Sequence, residues 1–259
     1  MNLKLFKLSR MFYKLIIAAI YFLALGSMSI AMDLNNITNA DRKVLQNEIR
    51  RYILENPDII FEAADIVRKR EAALEVQEDE DLIQSNFTEI FYDNYSYVGG
   101  NTDGDITIVE FVDYKCGYCR KAAEIIRELI AEDGNIRFIV KEFPILGEAS
   151  LISSKFAIAV KNIGGPEKYK VVHEILLALT AEPSEIYLRR IAEELELDPE
   201  ELFDAMQSDL VTQEIYQTGE LAQKLQISGT PTFIVGEQFL RGFVPLEILL
   251  EVTQSERKK

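Results

Sequence analysis

The sequence predicts an α/β fold interrupted by a helical insertion and preceded by a separate helical segment. A β-branched run, Ile106-Thr107-Ile108-Val109-Glu110-Phe111-Val112, gives way to helical spacing at Ala122, Ile125, Ile126, Leu129 and Ile130. A second strand run, Ile136 to Phe143, follows the turn Asp133-Gly134-Asn135, which completes the strand, helix, strand unit of a parallel core. Strand patterning then almost vanishes over about residues 148–226 and returns at Thr232 to Val235 and Gln238 to Arg241, joined by Gly236-Glu237. Ahead of this core, residues 39–74 carry apolar side chains at helical intervals.

The chain of 259 residues opens with Lys4, Lys7, Arg10 and Lys14, the apolar run Leu15 to Leu25 and the small-residue exit Ser29-Ile30-Ala31. A basic stretch, a short apolar stretch and alternating small residues are the layout of a secretory signal peptide, here residues 1–31 with cleavage after Ala31. The competing reading is an uncleaved anchor, but Leu15 to Ile30 falls short of the ~20 residues a spanning helix needs. No cysteine lies near the exit to carry a lipid. Without those residues the chain has 24 basic against 43 acidic side chains, a formal net charge of −19. Such a charge repels a phosphate backbone, so nucleic acid is excluded as a partner.

Residues 32–94 read as an N-terminal helical region. Leu45, Ile49, Tyr52 and Ile53 mark a first helix over Asn39 to Leu54, which Asn56-Pro57 interrupts. A second carries Ile60, Val67 and Leu74 every seven residues and closes at the polar run Gln77 to Asp81, and a third spans about Asp81 to Tyr92. These helices hold too few large apolar residues for a core of their own. Their stripe must dock on the main domain or pair with a second copy, making a homo-oligomer.

Residues 95–259 form the main domain. Within its insertion, helices are expected over Ser150 to Asn162, Pro166 to Leu179, Ser184 to Leu195 and Asp198 to Leu225, the last broken in two, with Pro166, Ser184 and Asp198-Pro199 as start signals. A final helix begins near Pro245.

Only two cysteines occur, Cys116 and Cys119, at the junction of the first strand run and its helix. A bridge between residues this close constrains little unfolded-chain entropy, so a structural staple explains them poorly. Zinc normally takes four ligands, and the only histidine, His173, is remote in sequence. Two thiolates suit copper(I), which stays open as an alternative. A redox pair fits the placement best. With a helix starting at Cys116, its free N–H groups and dipole stabilise a thiolate there. Cys119 lies one turn on and on the same face, within reach of a mixed disulfide formed on Cys116. No cofactor is implied.

The segment Val109-Glu110-Phe111-Val112-Asp113-Tyr114-Lys115-Cys116-Gly117-Tyr118-Cys119-Arg120 resembles the active-site segment of the DsbA-like branch of the thioredoxin superfamily. Lys141-Glu142-Phe143-Pro144-Ile145-Leu146-Gly147 and Gly229-Thr230-Pro231-Thr232-Phe233 resemble two further family segments, in family order around the insertion. The resemblance runs from about Tyr97 to the C-terminus and implies a thioredoxin fold. It implies that Cys116 is the nucleophile and Cys119 the resolving thiol. It makes Pro231 a cis-proline that, with Thr230, presents backbone to a substrate strand, and Glu110 a buried acid that relays a proton at Cys119. By local pattern alone, Pro231 reads as an ordinary trans turn proline, and the competing reading of Glu110 is a solvent-facing strand residue.

The resemblance further implies a periplasmic enzyme that introduces disulfide bonds into other exported proteins bearing cysteines, served by a redox partner in the membrane. Two departures from the best-known oxidase of the branch open a second reading, an oligomeric isomerase or reductase kept reduced. Gly117-Tyr118 replaces the Pro-His between its cysteines, removing an imidazole from the thiolate. Thr230 before the proline is the choice of isomerase relatives, which also carry N-terminal oligomerisation segments.

Overall fold

The computed structural model describes residues 38–258. The signal-peptide reading of residues 1–31 and the cleavage after Ala31 lie outside the described residues. Those described fall into two compact units, one ending at Arg68 and one beginning at Lys69.

In the first unit, α1 (Asn39–Glu55) starts at a capping box: the Thr38 hydroxyl accepts from the Asp41 N–H at 3.2 Å while the Asp41 carboxylate accepts from the Thr38 N–H at 3.3 Å. It stops before Pro57, and the Asn56 side-chain amide donates to the Tyr52 carbonyl. No residue of α1 is buried, and Val44, Ile49, Tyr52 and Leu54 are exposed. Helix α2 (Asp58–Ser85) begins in this unit, where Ile60, Phe61, Ile66 and Val67 are exposed as well.

One boundary differs from the sequence expectation. The polar run Gln77 to Asp81 does not end α2, which continues to Ser85 and is followed by the short α3 (Phe87–Phe91). Gln, Glu and Asp without Gly or Pro give the backbone no reason to leave the helix. Asn86 breaks it, its side-chain amide donating to the Leu82 carbonyl.

The second unit is built on a five-stranded sheet in the order β1-β3-β2-β4-β5. Its strands are β1 (Tyr97–Gly100), β2 (Ile106–Val112), β3 (Ile136–Glu142), β4 (Thr232–Val235) and β5 (Gln238–Arg241). β2 and β3 run parallel, joined through α4 (Gly117–Asp133), and the other neighbouring pairs are antiparallel. β1 escapes the sequence pattern because it is four residues with two glycines; it exists by pairing Tyr97 with Val140 and Gly100 with Arg137.

Side chains alternate across the two central strands. Ile106, Ile108, Val112, Ile136, Phe138 and Val140 pack on one face with Cys119, Ala122, Ile126 and Leu129 of α4. Val109, Phe111 and Ile139 pack on the other with Ile83, Ile90 and Phe91. Alternation therefore puts Glu110, between Ile108 and Val112, on the α4 face.

The insertion is helical as expected: α5 (Glu148–Ala178), α6 (Glu185–Glu194), α7 (Pro199–Ala205) and α8 (Asp209–Lys224). α5 is two helical pieces kinked at Gly165, whose φ of 83° suits glycine, directly before Pro166. Ser184, Asp198 and Ser208 cap the next three helices through their side chains. The chain ends in α9 (Leu246–Glu256). Among the described residues no helix is long and apolar enough to cross a membrane.

Candidate active site

Cys116 is the N-cap of α4, at extended φ/ψ, and its N–H donates to the Asp113 carbonyl at 3.0 Å. The strand-to-helix turn is held by the Asp113 carboxylate, fully buried. It accepts from the Lys115 N–H at 2.8 Å, the Ile145 and Leu146 N–H groups at 2.8 and 2.9 Å, and the Ser150 hydroxyl at 2.8 Å. This one side chain ties the loop before α4 to the loop after β3 and to the start of α5.

The structure holds both cysteines as free thiols. Cys119 is fully buried and Cys116 is 8% exposed. The Thr230–Pro231 peptide is cis, and the Cys116 Sγ donates to the Thr230 carbonyl at 3.1 Å. The Pro231 carbonyl is used by the Gly242 N–H at 2.9 Å, which brings Phe243 beside this loop. Tyr118, between the cysteines, is exposed, with its ring 6.2 Å from that of Phe243 and Lys121 Nζ above it. Ile145 and Leu146 are exposed as well.

The two thiols are electrostatically unlike. Burial works against a Cys116 thiolate, but hydrogen bonding from the Thr230 side chain, the backbone of Cys119 and Tyr118 and the Cys119 thiol outweighs it, so its pKa falls below the ordinary value. Burial first, and then the negative charge of Glu110, push Cys119 far up. Glu110 is buried, with Oε1 lacking a hydrogen-bond partner. Burial, and then the charges of Cys116 and Glu142, raise it to about 8. A cavity of about 560 Å³ between α4, β1, β3 and the second piece of α5 is lined by Glu110, Arg120 and His173 among others.

The five residues the sequence singled out are thus distributed over α4 and its cap (Cys116, Cys119), β2 (Glu110) and the turn before β4 (Thr230, Pro231). Sequence reading gave no role to Asp113, Tyr114, Glu142, Tyr169 or Ser154, and it met His173 only as a remote metal ligand. His173 is instead half-buried on α5, where loss of surrounding water lowers its pKa to about 4. Among the described residues no three His, Cys, Asp or Glu side chains cluster as metal ligands.

A family model described as thioredoxin matches residues 92–251. A solved structure of a thioredoxin-like oxidoreductase from Silicibacter pomeroyi is 38% identical, covering 66% of this chain and 98% of that one with a TM-score of 0.62. The thiol-disulfide exchange protein alpha-DsbA2 of Wolbachia pipientis is 29% identical over 70% of this chain and 97% of its own, with a TM-score of 0.66. A curated relative, Na(+)/H(+) antiporter NhaA 3 of Salinispora tropica, is 28% identical over 159 residues, 61% of this chain. The match spans about a quarter (24%) of that relative's length.

Proposed function

Because the chain belongs to the thioredoxin family, we propose that it is a periplasmic thiol-disulfide oxidoreductase which forms disulfide bonds in other exported proteins. The observation that carries this is the asymmetry of the cysteine pair: a lowered, slightly exposed Cys116 at a helix start, and a raised, buried Cys119 sharing its surroundings with Glu110. A substrate thiolate attacks the Cys116 sulfur of the oxidised pair. The Cys116–Cys119 bond breaks, and its electron pair leaves on Cys119, which takes a proton from Glu110. A second substrate thiolate then attacks the substrate sulfur of the mixed disulfide and expels the Cys116 thiolate. The substrate is oxidised by two electrons and the enzyme reduced by two, to be reoxidised by a membrane partner.

A stabilised Cys116 thiolate favours the reduced enzyme and hence the oxidant direction. The backbone beside Cys116 at Thr230-Pro231 supports strand pairing with an extended client, and the exposed Tyr118, Ile145, Leu146 and Phe243 support contact with its apolar side chains. Equilibration against glutathione tests the direction: a potential well above that of thioredoxin, about −270 mV, is expected, and one near it rules out a dedicated oxidase. Cys116→Ser abolishes exchange, whereas Cys119→Ser accumulates mixed disulfides; full activity of either variant removes the assignment.

The second reading, an oligomeric isomerase kept reduced, is favoured by the exposed apolar side chains of α1 and the first part of α2. Leaving that many in water is unfavourable, so a second copy is their natural cover. A monomeric mature chain in sedimentation counts against it.

A further inference from the structure

Glu142, buried at the end of β3, is unused by the chemistry above. In the parallel register Val112 is opposite Glu142 and Glu110 opposite Val140. The two glutamates therefore stand on the same face of adjacent strands as diagonal neighbours, a spacing of about 7 Å.

Three hydroxyl groups close on the Glu142 carboxylate. Tyr114 and Tyr169 donate to Oε1 at 2.7 and 2.6 Å, and Ser154 donates to Oε2 at 2.7 Å. With its single proton committed to Glu142, the Tyr114 oxygen accepts from Nδ1 of His173 at 3.0 Å. The groups that bear on Glu142 are thus Tyr114 from the turn before α4, Ser154, Tyr169 and His173 from α5, Glu110 from β2, and more distantly Glu214 from α8. None is a cation. Glu110 in turn faces Cys116, Cys119, Tyr114 and Glu142, and shares its cavity with Arg120, Glu124, Arg127, Lys170 and Glu174.

Burial alone would neutralise Glu142, but three donors favour its charged form. The balance leaves it at about 7, beside Glu110 at about 8, so the two ionise as a coupled pair near neutrality.

We propose that Glu142 is a positioning residue for proton transfer at Cys119: held as a carboxylate by Tyr114, Tyr169 and Ser154, it repels charge on Glu110 and so sets the pH at which Glu110 takes the Cys119 proton. The proposal rests on the reading of Glu110 as the proton acceptor. In the step concerned, the Cys119 S–H gives its proton to the Glu110 carboxylate and the thiolate attacks the Cys116 sulfur of a mixed disulfide. The Cys116–Cys119 bond forms, and the substrate sulfur leaves with the electron pair of the bond that breaks.

The test is the pH profile of expulsion of a glutathione adduct from Cys116, followed by mass in acid-quenched samples of wild type, Glu142→Gln, Tyr169→Phe and Glu110→Gln. Removing the Glu142 charge moves the Glu110 midpoint to lower pH by about one unit, the size of a screened like-charge repulsion at this spacing. Tyr169→Phe, which removes one donor and leaves the carboxyl in place, moves it in the same direction by less and carries the test if the Gln variant does not fold. Wild-type midpoints in the folded Glu142 and Tyr169 variants, alongside loss of the limb in Glu110→Gln, overturn the proposal while leaving Glu110 as acceptor. A wild-type profile in Glu110→Gln overturns the Glu110 reading and the proposal together.

Discussion

Replacing Glu110 by Gln should shift the stability of the reduced protein in favour of the variant by an amount that grows with pH. The ordinary carboxyl value is 4.5 and the folded value about 8, so the folded state binds this proton more tightly than the unfolded state does. Stability linked to the group is full below pH 4.5 and is lost as pH rises through the folded pKa. At ~1.4 kcal/mol per unit, the wild type loses ~3 kcal/mol by pH 7 and ~5 kcal/mol once Glu110 is ionised, relative to acid. Gln cannot ionise and escapes that loss. It leaves an amide in a site where Oε1 already lacks a partner, a pH-independent cost of about 1–3 kcal/mol. Urea unfolding of both proteins at pH 5, 6, 7 and 8 separates the two effects. The difference in unfolding free energy should climb toward the variant by ~1.4 kcal/mol per pH unit and level off near pH 8. Oxidation removes the Cys116 charge, one of the causes of the shift, so the climb should level off sooner in the disulfide form. Parallel pH dependences for wild type and variant would refute the burial argument.

Two further outcomes follow from the packing. Asp113→Ala leaves the Lys115, Ile145 and Leu146 N–H groups and the Ser150 hydroxyl without their acceptor. A loss of about 3–5 kcal/mol in urea unfolding is expected, with exchange activity falling as the start of α4 loosens; a loss below ~1 kcal/mol contradicts the hub role. A chain beginning at Lys69 keeps the Arg241–Asp79 ion pair and the Gln84–Glu237 hydrogen bond, so it should fold and reduce insulin at the wild-type rate. On the oligomeric reading it should sediment as a monomer, and a chain beginning at Met32 as a dimer or trimer; equal association states would remove the first unit from any role in assembly.

The strands and helices that carry the cysteines were legible because each depends on neighbours in sequence. Ile106 to Val112 is β-branched, Ala122 to Ile130 keeps helical spacing, and Gly134 takes the left-handed cap of α4. Strand β1 was not legible, since Tyr97-Val98-Gly99-Gly100 has no pattern apart from the β3 edge it pairs with. The end of α2 was misplaced because polarity was read as a break where no residue breaks a helix.

By itself the sequence determined the cysteine pair, its place at a strand-to-helix junction, the helical insertion and the acidic surface, all set by residue type and short spacing. Tertiary structure alone decided how those thiols ionise and what surrounds Glu110. Tyr114, Glu142, Ser154, Tyr169 and His173 span 60 positions, and they meet because parallel β2 and β3 present one face and α5 folds back across it. No local pattern encodes such a meeting, because burial and hydrogen-bond partners arise from packing between elements distant in the chain.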